Sequence, residues 1–374
     1  MAPVKGRPDP AVGRLAISTY RVQTDRPEGD GTLAWSATTV VVVEVDAGGA
    51  TGTGWTYASA ACATLIDGEL REVVEGSDAL DVVATQEAMV RACRNLGRPG
   101  VVSSAVSAVD VALWDLKARL WGVGLPELLG RCRPAAPLYG SGGFTTYADD
   151  VTAAQLEQWV GDLGIPRVKI KVGESWGTEE ARDLARTALA RRIVGESVEL
   201  FVDANGGYTR KQAVRIGRRL AGEHGVSWFE EPVSSDDLDG LRLVRDQLDV
   251  DVAAGEYGYD EPYFRRMLAT GAVDCLQVDV TRCGGYTSWL RAAALAHAAG
   301  IRVSGHCAPN LHLPVALHVP NLAHLEYFHD HTRLDPMLFD GVPSVASGLL
   351  HPEPGAVGHG MTLRRPDAER YRIA

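Results

Sequence analysis

The hydrophobic pattern changes texture along the chain. Residues 14–57 run in β-branched stretches, LAISTYRV, then ATTVVVVEVDA, a Gly48-Gly49 turn and TGTGWTYA. That composition, broken by a glycine turn, predicts an antiparallel sheet. Between the first two strands, the polar segment Thr24 to Trp35 reads as a loop, either a solvated connection or a lid. Residues 65–130 take a helical period. The clearest helix spans 104–121, with Val106, Val109, Leu113, Leu116 and Leu120 on one face, Ser103 or Ser104 as its cap and Gly122 as its stop. Trp114 and Trp121 read as packing residues. From residue 138, strand-sized runs recur at 138–145, 167–172, 198–203, 226–230, 250–255, 274–280, 301–305 and 322–327. Most are followed by a helical segment. One starts near Thr178 with Leu184, Ala185, Ala188 and Leu189 on a face, one at Thr209, and one spans Thr287 to Ala299. Eight strands alternating with helices predict a parallel (β/α)8 barrel.

Composition narrows the function classes. A formal charge of −11 over 374 residues argues against nucleic acid or an anionic membrane as partner. It leaves an anionic substrate open, because a metal or a lysine pair can invert the field inside one cleft. Six scattered cysteines without a C-x-x-C pair suit reduced thiols. The opening MAPVKGRPDP lacks the plan of a signal peptide, and no apolar run reaches membrane-spanning length. A soluble, cytoplasmic protein is expected.

The candidate chemistry starts at Val168-Lys169-Ile170-Lys171-Val172. In a strand, Lys169 and Lys171 project together on one face, which is either the wet face of an edge strand or a pair of functional ammonium groups. Later strands end in ionisable residues: Asp203, Glu230, Glu256, Asp279, His306 and Glu326, at successive spacings of 27, 26, 23, 27 and 20 residues. Each interval is about one βαβ step, which places all six at the C-terminal mouth of a barrel. Asp203, Glu230 and Glu256 on consecutive strands would repel one another and raise at least one pKa unless a hard divalent cation joins them; Mg²⁺ suits three carboxylates with positions left for water and substrate. Asp279 beside His306 can fix the tautomer of the imidazole and raise its basicity. With the lysines opposite, two bases flank the metal, an arrangement suited to removing a proton next to a carboxylate. Gly52-x-Gly54 is set aside as a nucleotide turn because Tyr57 stands where a third glycine is needed. His312 and His318 fall in no ligand spacing, Cys307 reads as a packed thiol, and His329 and His331 could reach the mouth or be solvated.

The K-x-K pair, D-x-N (Asp203, Asn205), E-E-P (230–232), G-E (255–256), DVTRCGGYT (279–287) and the following His306 closely resemble the mandelate racemase subgroup of the enolase superfamily. The resemblance implies an α+β capping domain over 1–130, a (β/α)8-type barrel over 131–335 and a C-terminal segment, 336–374, returning to the cap. It implies Mg²⁺ on Asp203, Glu230 and Glu256. Lys171 would be one base, with Lys169 lowering its pKa and touching the substrate carboxylate. The Asp279–His306 dyad would act on the opposite face, Glu326 would bond the substrate carboxylate, and Asn205 would be a substrate or supporting contact. The loop at 24–35 and a turn at Gly52–Tyr57 would cover the site, and the protein would be a homo-oligomer of even order. The expected reaction is Mg²⁺-dependent dehydration of a sugar acid to a 2-keto-3-deoxy acid. Racemisation or epimerisation of a 2-hydroxy acid, or sugar-lactone cycloisomerisation, stands as the alternative. A non-catalytic metal-binding protein and a zinc hydrolase follow behind, the last because the ligands are all carboxylates.

Overall fold

A computed structural model describes residues 11–374, so the reading of the first ten residues lies outside the described residues. The β-branched runs form an antiparallel sheet of β1 (Arg14–Gly29), β2 (Ala34–Ala47) and β3 (Ala50–Tyr57). The expected loop at 24–35 is instead mostly strand. The β1–β2 ladder is interrupted between Gln23 and Glu28 and resumes with Glu28 opposite Trp35, so the turn shrinks to Asp30–Leu33. Likewise Gly52–Tyr57 is the body of β3 and not a turn. Its glycines exist for packing: a Cβ on Gly52 would lie 2.2 Å from the Ala112 carbonyl, and one on Gly54 would lie 2.3 Å from that of Ala108. Both carbonyls belong to the helix Val101–Trp121, which lies across the sheet.

That helix starts three residues earlier than its period suggests. Gly100 takes the cap position and Gly122 closes it in the left-handed conformation. Ser103 does not cap; its hydroxyl donates to the Tyr259 carbonyl of the barrel at 2.8 Å. Trp114 packs as expected, with its indole N–H on Thr287 Oγ1 at 2.9 Å, whereas Trp121, 51% exposed at the last turn, is not the buried packing residue expected.

All eight barrel strands form: β4 (Ala136–Gly142), β5 (Arg167–Lys171), β6 (Glu199–Asp203), β7 (Val226–Glu230), β8 (Asp251–Ala254), β9 (Cys275–Val278), β10 (Arg302–Gly305) and β11 (Leu322–Phe328). Neighbours pair in parallel and β11 pairs with β4, closing the sheet. Val168 and Ile170 of β5 join the large core beneath the helices, so Lys169 and Lys171 point into the barrel. The interior is layered. Tyr139, Phe201, Trp228, Ala253 and Cys275 fill the lower part, Phe201 and Trp228 stacked at 5.2 Å. Two residues further along β6 and β7 the inward positions are Asp203 and Glu230, in register with each other and with Lys171. An aromatic floor thus supports a charged layer at the mouth.

The helix Glu180–Val194 buries Asp183, Leu184, Arg186, Thr187, Ala190 and Val194, leaving Ala185 exposed. The expected apolar face is rotated because two polar side chains have inward partners: Asp183 accepts from Tyr208 Oη at 2.6 Å, and Arg186 donates to the Gly143 carbonyl. Thr209 and Gln212 form the capping box of the next helix, Arg210–His224. After the barrel, Leu349 and Leu350 pair antiparallel with β4, and Ile373 N–H donates to the Thr19 carbonyl of the cap at 2.8 Å. Among the described residues no helix is long and apolar enough to cross a membrane.

Candidate active site

The strand-end residues converge. Asp203, Glu230 and Glu256, all buried, bring one carboxylate oxygen each within 4.8 Å of the others. Asp203 and Glu230 are placed by the β6–β7 register, and Glu256 follows β8 after Gly255, whose φ of 135° turns the chain beneath the Gln277 carbonyl. Burial and the Asp203 charge push the Glu230 carboxyl up to about 8, the repulsion expected of crowded acids. Glu256 Oε2 is buried and accepts no hydrogen bond among the described residues, although His306 Nε2 lies 3.1 Å away. Three hard oxygen donors with an orphaned one among them suit a divalent cation such as Mg²⁺.

The basic groups lie against these acids. Lys169 Nζ is 2.6 Å from Glu230 Oε1, 2.7 Å from Glu326 Oε1 and 3.7 Å from Asp203 Oδ2. Lys171 Nζ is 2.5 Å from Asp203 Oδ2. Burial opposes both charges, but the carboxylates outweigh it and raise both lysines. The Lys169 charge does lower Lys171, in the expected direction, yet Asp203 is the stronger neighbour in this arrangement. His306 Nδ1 bonds Asp279 Oδ2 at 2.8 Å, and Asp279 Oδ1 is held by the N–H and hydroxyl of Thr281, each at 2.7 Å. Those contacts aim Nε2 of His306 inward. Glu326 Oε1 also takes Ser141 Oγ at 2.6 Å, and its Oε2 takes the Cys307 N–H at 2.7 Å.

A cavity of about 360 Å³ opens above this layer, a size for a small polar ligand. Lys171, Asn205, Glu256, Asp279 and His306 line it, while Lys169, Asp203, Glu230 and Glu326 lie beneath, buried. The cap supplies much of the roof, through Asp30, Leu33, Trp35, Thr38 and Tyr57.

Among the lining residues, Arg282 carried no assignment from sequence. Arg282, inside the DVTRCGGYT stretch, lies 3.0 Å from Glu256 Oε1 and 3.4 Å from Asp279 Oδ2, bridging the acid cluster to the dyad. Cys307 is a buried thiol in the wall, pushed up to about 12 by burial and 3.4 Å from His306 Nε2. His331 and His329 part company. His331 lines the cavity, stacked on Tyr57 with ring centroids 3.5 Å apart, and its Nδ1 accepts the Ala308 N–H at 3.1 Å. Burial lowers it to about 4, so at neutral pH it is a neutral ring carrying its proton on Nε2. His329 lies apart, 3.3 Å from Asp25. His312 is buried in hydrogen bonds to the Val280 N–H and the Ala308 carbonyl, away from the chemistry.

Residues 17–130 match the family model described as mandelate racemase / muconate lactonizing enzyme, N-terminal domain, and residues 151–368 match that of the enolase C-terminal domain-like family. The chain is 33% identical to 3,6-anhydro-alpha-L-galactonate cycloisomerase of Streptomyces coelicolor over 362 residues, covering 94% of this chain and 97% of that one. It is 30% identical to L-talarate/galactarate dehydratase of Salmonella typhimurium over 295 residues, covering 77% and 73%. The crystal structure of that dehydratase liganded with Mg and L-lyxarohydroxamate matches at a TM-score of 0.89 and 25% identity, covering 100% of this chain and 96% of that one. A mandelate racemase/muconate lactonizing enzyme-like protein from Rubrobacter xylanophilus matches at a TM-score of 0.94 and 48% identity, covering 97% and 100%.

Proposed function

The chain belongs to the mandelate racemase/muconate lactonizing enzyme family of the enolase superfamily, and from that premise we propose that it is a Mg²⁺-dependent sugar-acid dehydratase. The observation that carries this reading is one cavity with three carboxylates converging at its floor, Glu256 lining it and Asp203 and Glu230 just beneath, with Lys171 and an Asp279-backed His306 also lining it. Asp203, Glu230 and Glu256 would hold the ion, which when bound supplies fixed positive charge against the negative charge developing on the substrate carboxylate.

The protein's own groups then do the following. Asp203 raises Lys171 while that carboxylate is free; with Asp203 given to the ion, the Lys169 charge acting on Lys171 would favour the neutral amine. Lys171 Nζ then accepts the proton from the carbon next to the carboxylate, and the C–H electron pair moves into the carboxylate. His306 Nε2, as imidazolium, gives its proton to the β-oxygen as the pair returns and the Cβ–O bond breaks. The oxygen leaves as water, and the enol tautomerises to a 2-keto-3-deoxy acid. Lys169, Asn205 and Glu326 orient the carboxylate and the hydroxyl beside it, Lys169 and Glu326 acting from just beneath the cavity floor.

A second reading has support from the cycloisomerase that matches 94% of the chain. In a 3,6-anhydro sugar acid the β-oxygen is a ring ether. The same two proton transfers would open that ring without losing any atoms. A racemase would use the same pair on opposite faces of one carbon, with no β-bond broken.

The test incubates the Mg²⁺-loaded protein in deuterated water with a panel of four- to six-carbon mono- and diacid sugars and anhydro-sugar acids. The expected result is a keto acid that has lost water and carries deuterium at C3. Keto acid formed without loss of mass selects the cycloisomerase, and α-exchange without keto acid selects the racemase. Neither exchange nor keto acid from any member, with Mg²⁺ bound, would overturn the assignment of the site.

A further inference from the structure

We infer that Asp25, Glu28 and His329 form a second divalent-cation site, of the Zn²⁺ or Mn²⁺ class, that fastens the β1–β2 arm of the cap to the barrel beside the cavity. The three residues come from places far apart in sequence: two from the end of β1 and one immediately after β11. One potential ligand atom from each lies within 4.8 Å of the others, and His329 Nε2 is 3.3 Å from both Asp25 oxygens. Acids and a histidine at a surface often meet without a ligand, so the geometry alone carries little.

The second observation is an unpartnered buried oxygen. Glu28 has no solvent exposure; its Oε2 accepts the Trp35 indole N–H at 2.8 Å, but its Oε1 has no hydrogen-bond partner among the described residues. Tyr147, packed against His329, also buries a hydroxyl without a partner among the described residues. Negative charge is in excess here. Asp330, buried beside Glu28, and Asp25 both repel it; Arg333 offsets part of this, but it gives one Nη to both Asp330 at 2.6 Å and the Gln23 carbonyl at 3.0 Å and makes no hydrogen bond to Glu28. A buried carboxylate oxygen left without a partner is costly unless it gains a proton or a cation. Burial and the charges of Asp330 and Asp25 raise Glu28 above the ordinary carboxylate range, the same cost that the orphaned Oε1 shows in the geometry.

The donor set selects the ion. One imidazole and two carboxylates suit Zn²⁺ or Mn²⁺, whereas Mg²⁺ prefers oxygen alone and suits the Asp203–Glu230–Glu256 cradle. The site has a mechanical link to the cavity as well, since Glu28 holds the indole of Trp35, which forms part of the cavity roof. A cation here would fix that wall by joining the arm to the first residue after the last barrel strand.

The experiment counts ions on the full chain, without reference to turnover. The Glu230→Gln protein, whose first cradle is disabled, is equilibrated with Zn²⁺ in excess Mg²⁺ and washed, and bound zinc is measured by plasma mass spectrometry. One zinc per chain is expected. His329→Ala and Asp25→Asn in that background should weaken binding more than about tenfold, each removing one ligand from a partly exposed position where folding is not at stake. Co²⁺ in place of Zn²⁺ should give visible absorption that His329→Ala abolishes. No zinc bound in the Glu230→Gln background, or zinc retained equally by His329→Ala and Asp25→Asn, would overturn the site. Either result leaves the proposed sugar-acid chemistry untouched, because that rests on a different cluster.

Discussion

Replacing Asp279 by Asn separates the two proton transfers. The carboxylate is buried, its Oδ2 is 2.8 Å from His306 Nδ1, and its Oδ1 is fixed by two bonds from Thr281. Asn keeps that shape and those Thr281 contacts but removes the charge that stabilises the imidazolium. A hydrogen bond to a charged group contributes about 1.5–3 kcal/mol. At about 1.4 kcal/mol per factor of ten, that is a loss of roughly ten- to 150-fold in the step His306 performs. If Lys171 removes the α-proton and His306 protonates the departing oxygen, Asp279→Asn should slow keto-acid formation by that factor. Exchange of the α-proton in deuterated water should continue near its original rate. The assay follows both signals in one sample by proton NMR, so the ratio of exchange to product rises ten- to 150-fold. An equal fall in both rates would make His306 the abstracting base, and no change in either would remove the dyad from the reaction.

Glu230→Gln should abolish Mg²⁺ binding by calorimetry and with it all turnover, while the fold survives because Lys169 keeps Glu326 at 2.7 Å; turnover retained at saturating Mg²⁺ would contradict the ligand set. Gly52→Ala should destabilise the protein by about 3 kcal/mol in urea denaturation, since its Cβ would meet the Ala112 carbonyl at 2.2 Å and the Leu116 amide nitrogen at 2.4 Å, backbone atoms that cannot swing aside. Unchanged stability would mean the cap helix does not sit that close to β3. Asp110, whose carboxylate receives the N–H and hydroxyl of Thr287 at 3.0 and 2.6 Å, ties the cap helix to the barrel, and burial raises it to about 7. Above the unfolded value of 3.8 and below about 7 the native state keeps a proton that the unfolded chain has lost, so this group makes stability fall as pH rises through that window, by up to about 4 kcal/mol. Asp110→Asn should flatten the fall, measured as melting temperature between pH 4 and 7; an unaltered slope would show that Asp110 is not its source.

Which parts of the molecule were legible in the sequence follows from where each residue finds its partner. A barrel strand delivers one inward side chain to the mouth per βαβ step, so Asp203, Glu230, Glu256, Asp279, His306 and Glu326 announce themselves by spacing alone. The eight strands do so by β-branched runs that the structure reproduces to within about three residues at either end. Local chemistry was equally readable at Thr209–Gln212, where a helix cap lies within one turn. The misreadings have distant partners. Asp183 and Arg186 break an apolar face because Tyr208 and Gly143 wait 25 and 43 residues away. Segment 24–35 looks like a polar loop because its turn chemistry is indistinguishable from a strand interrupted between Gln23 and Glu28, and only the ladder with β2 decides. His329 and His331, two residues apart, go to different places because one meets Asp25 and the other the Ala308 amide and the ring of Tyr57. This division has a consequence for specificity. The spaced residues sit where proton transfer is proposed, whereas Trp35, Thr38, Asp330 and His331, from the cap and the segment after β11, line much of the rest of the cavity together with barrel-loop residues such as Tyr257 and Arg282. The hydroxyls of a sugar acid beyond the reacting carbons would meet these cap and loop residues. Substrate choice is therefore free to change by exchange of cap and loop residues, with the Lys171–His306 pair and the carboxylate cradle left in place.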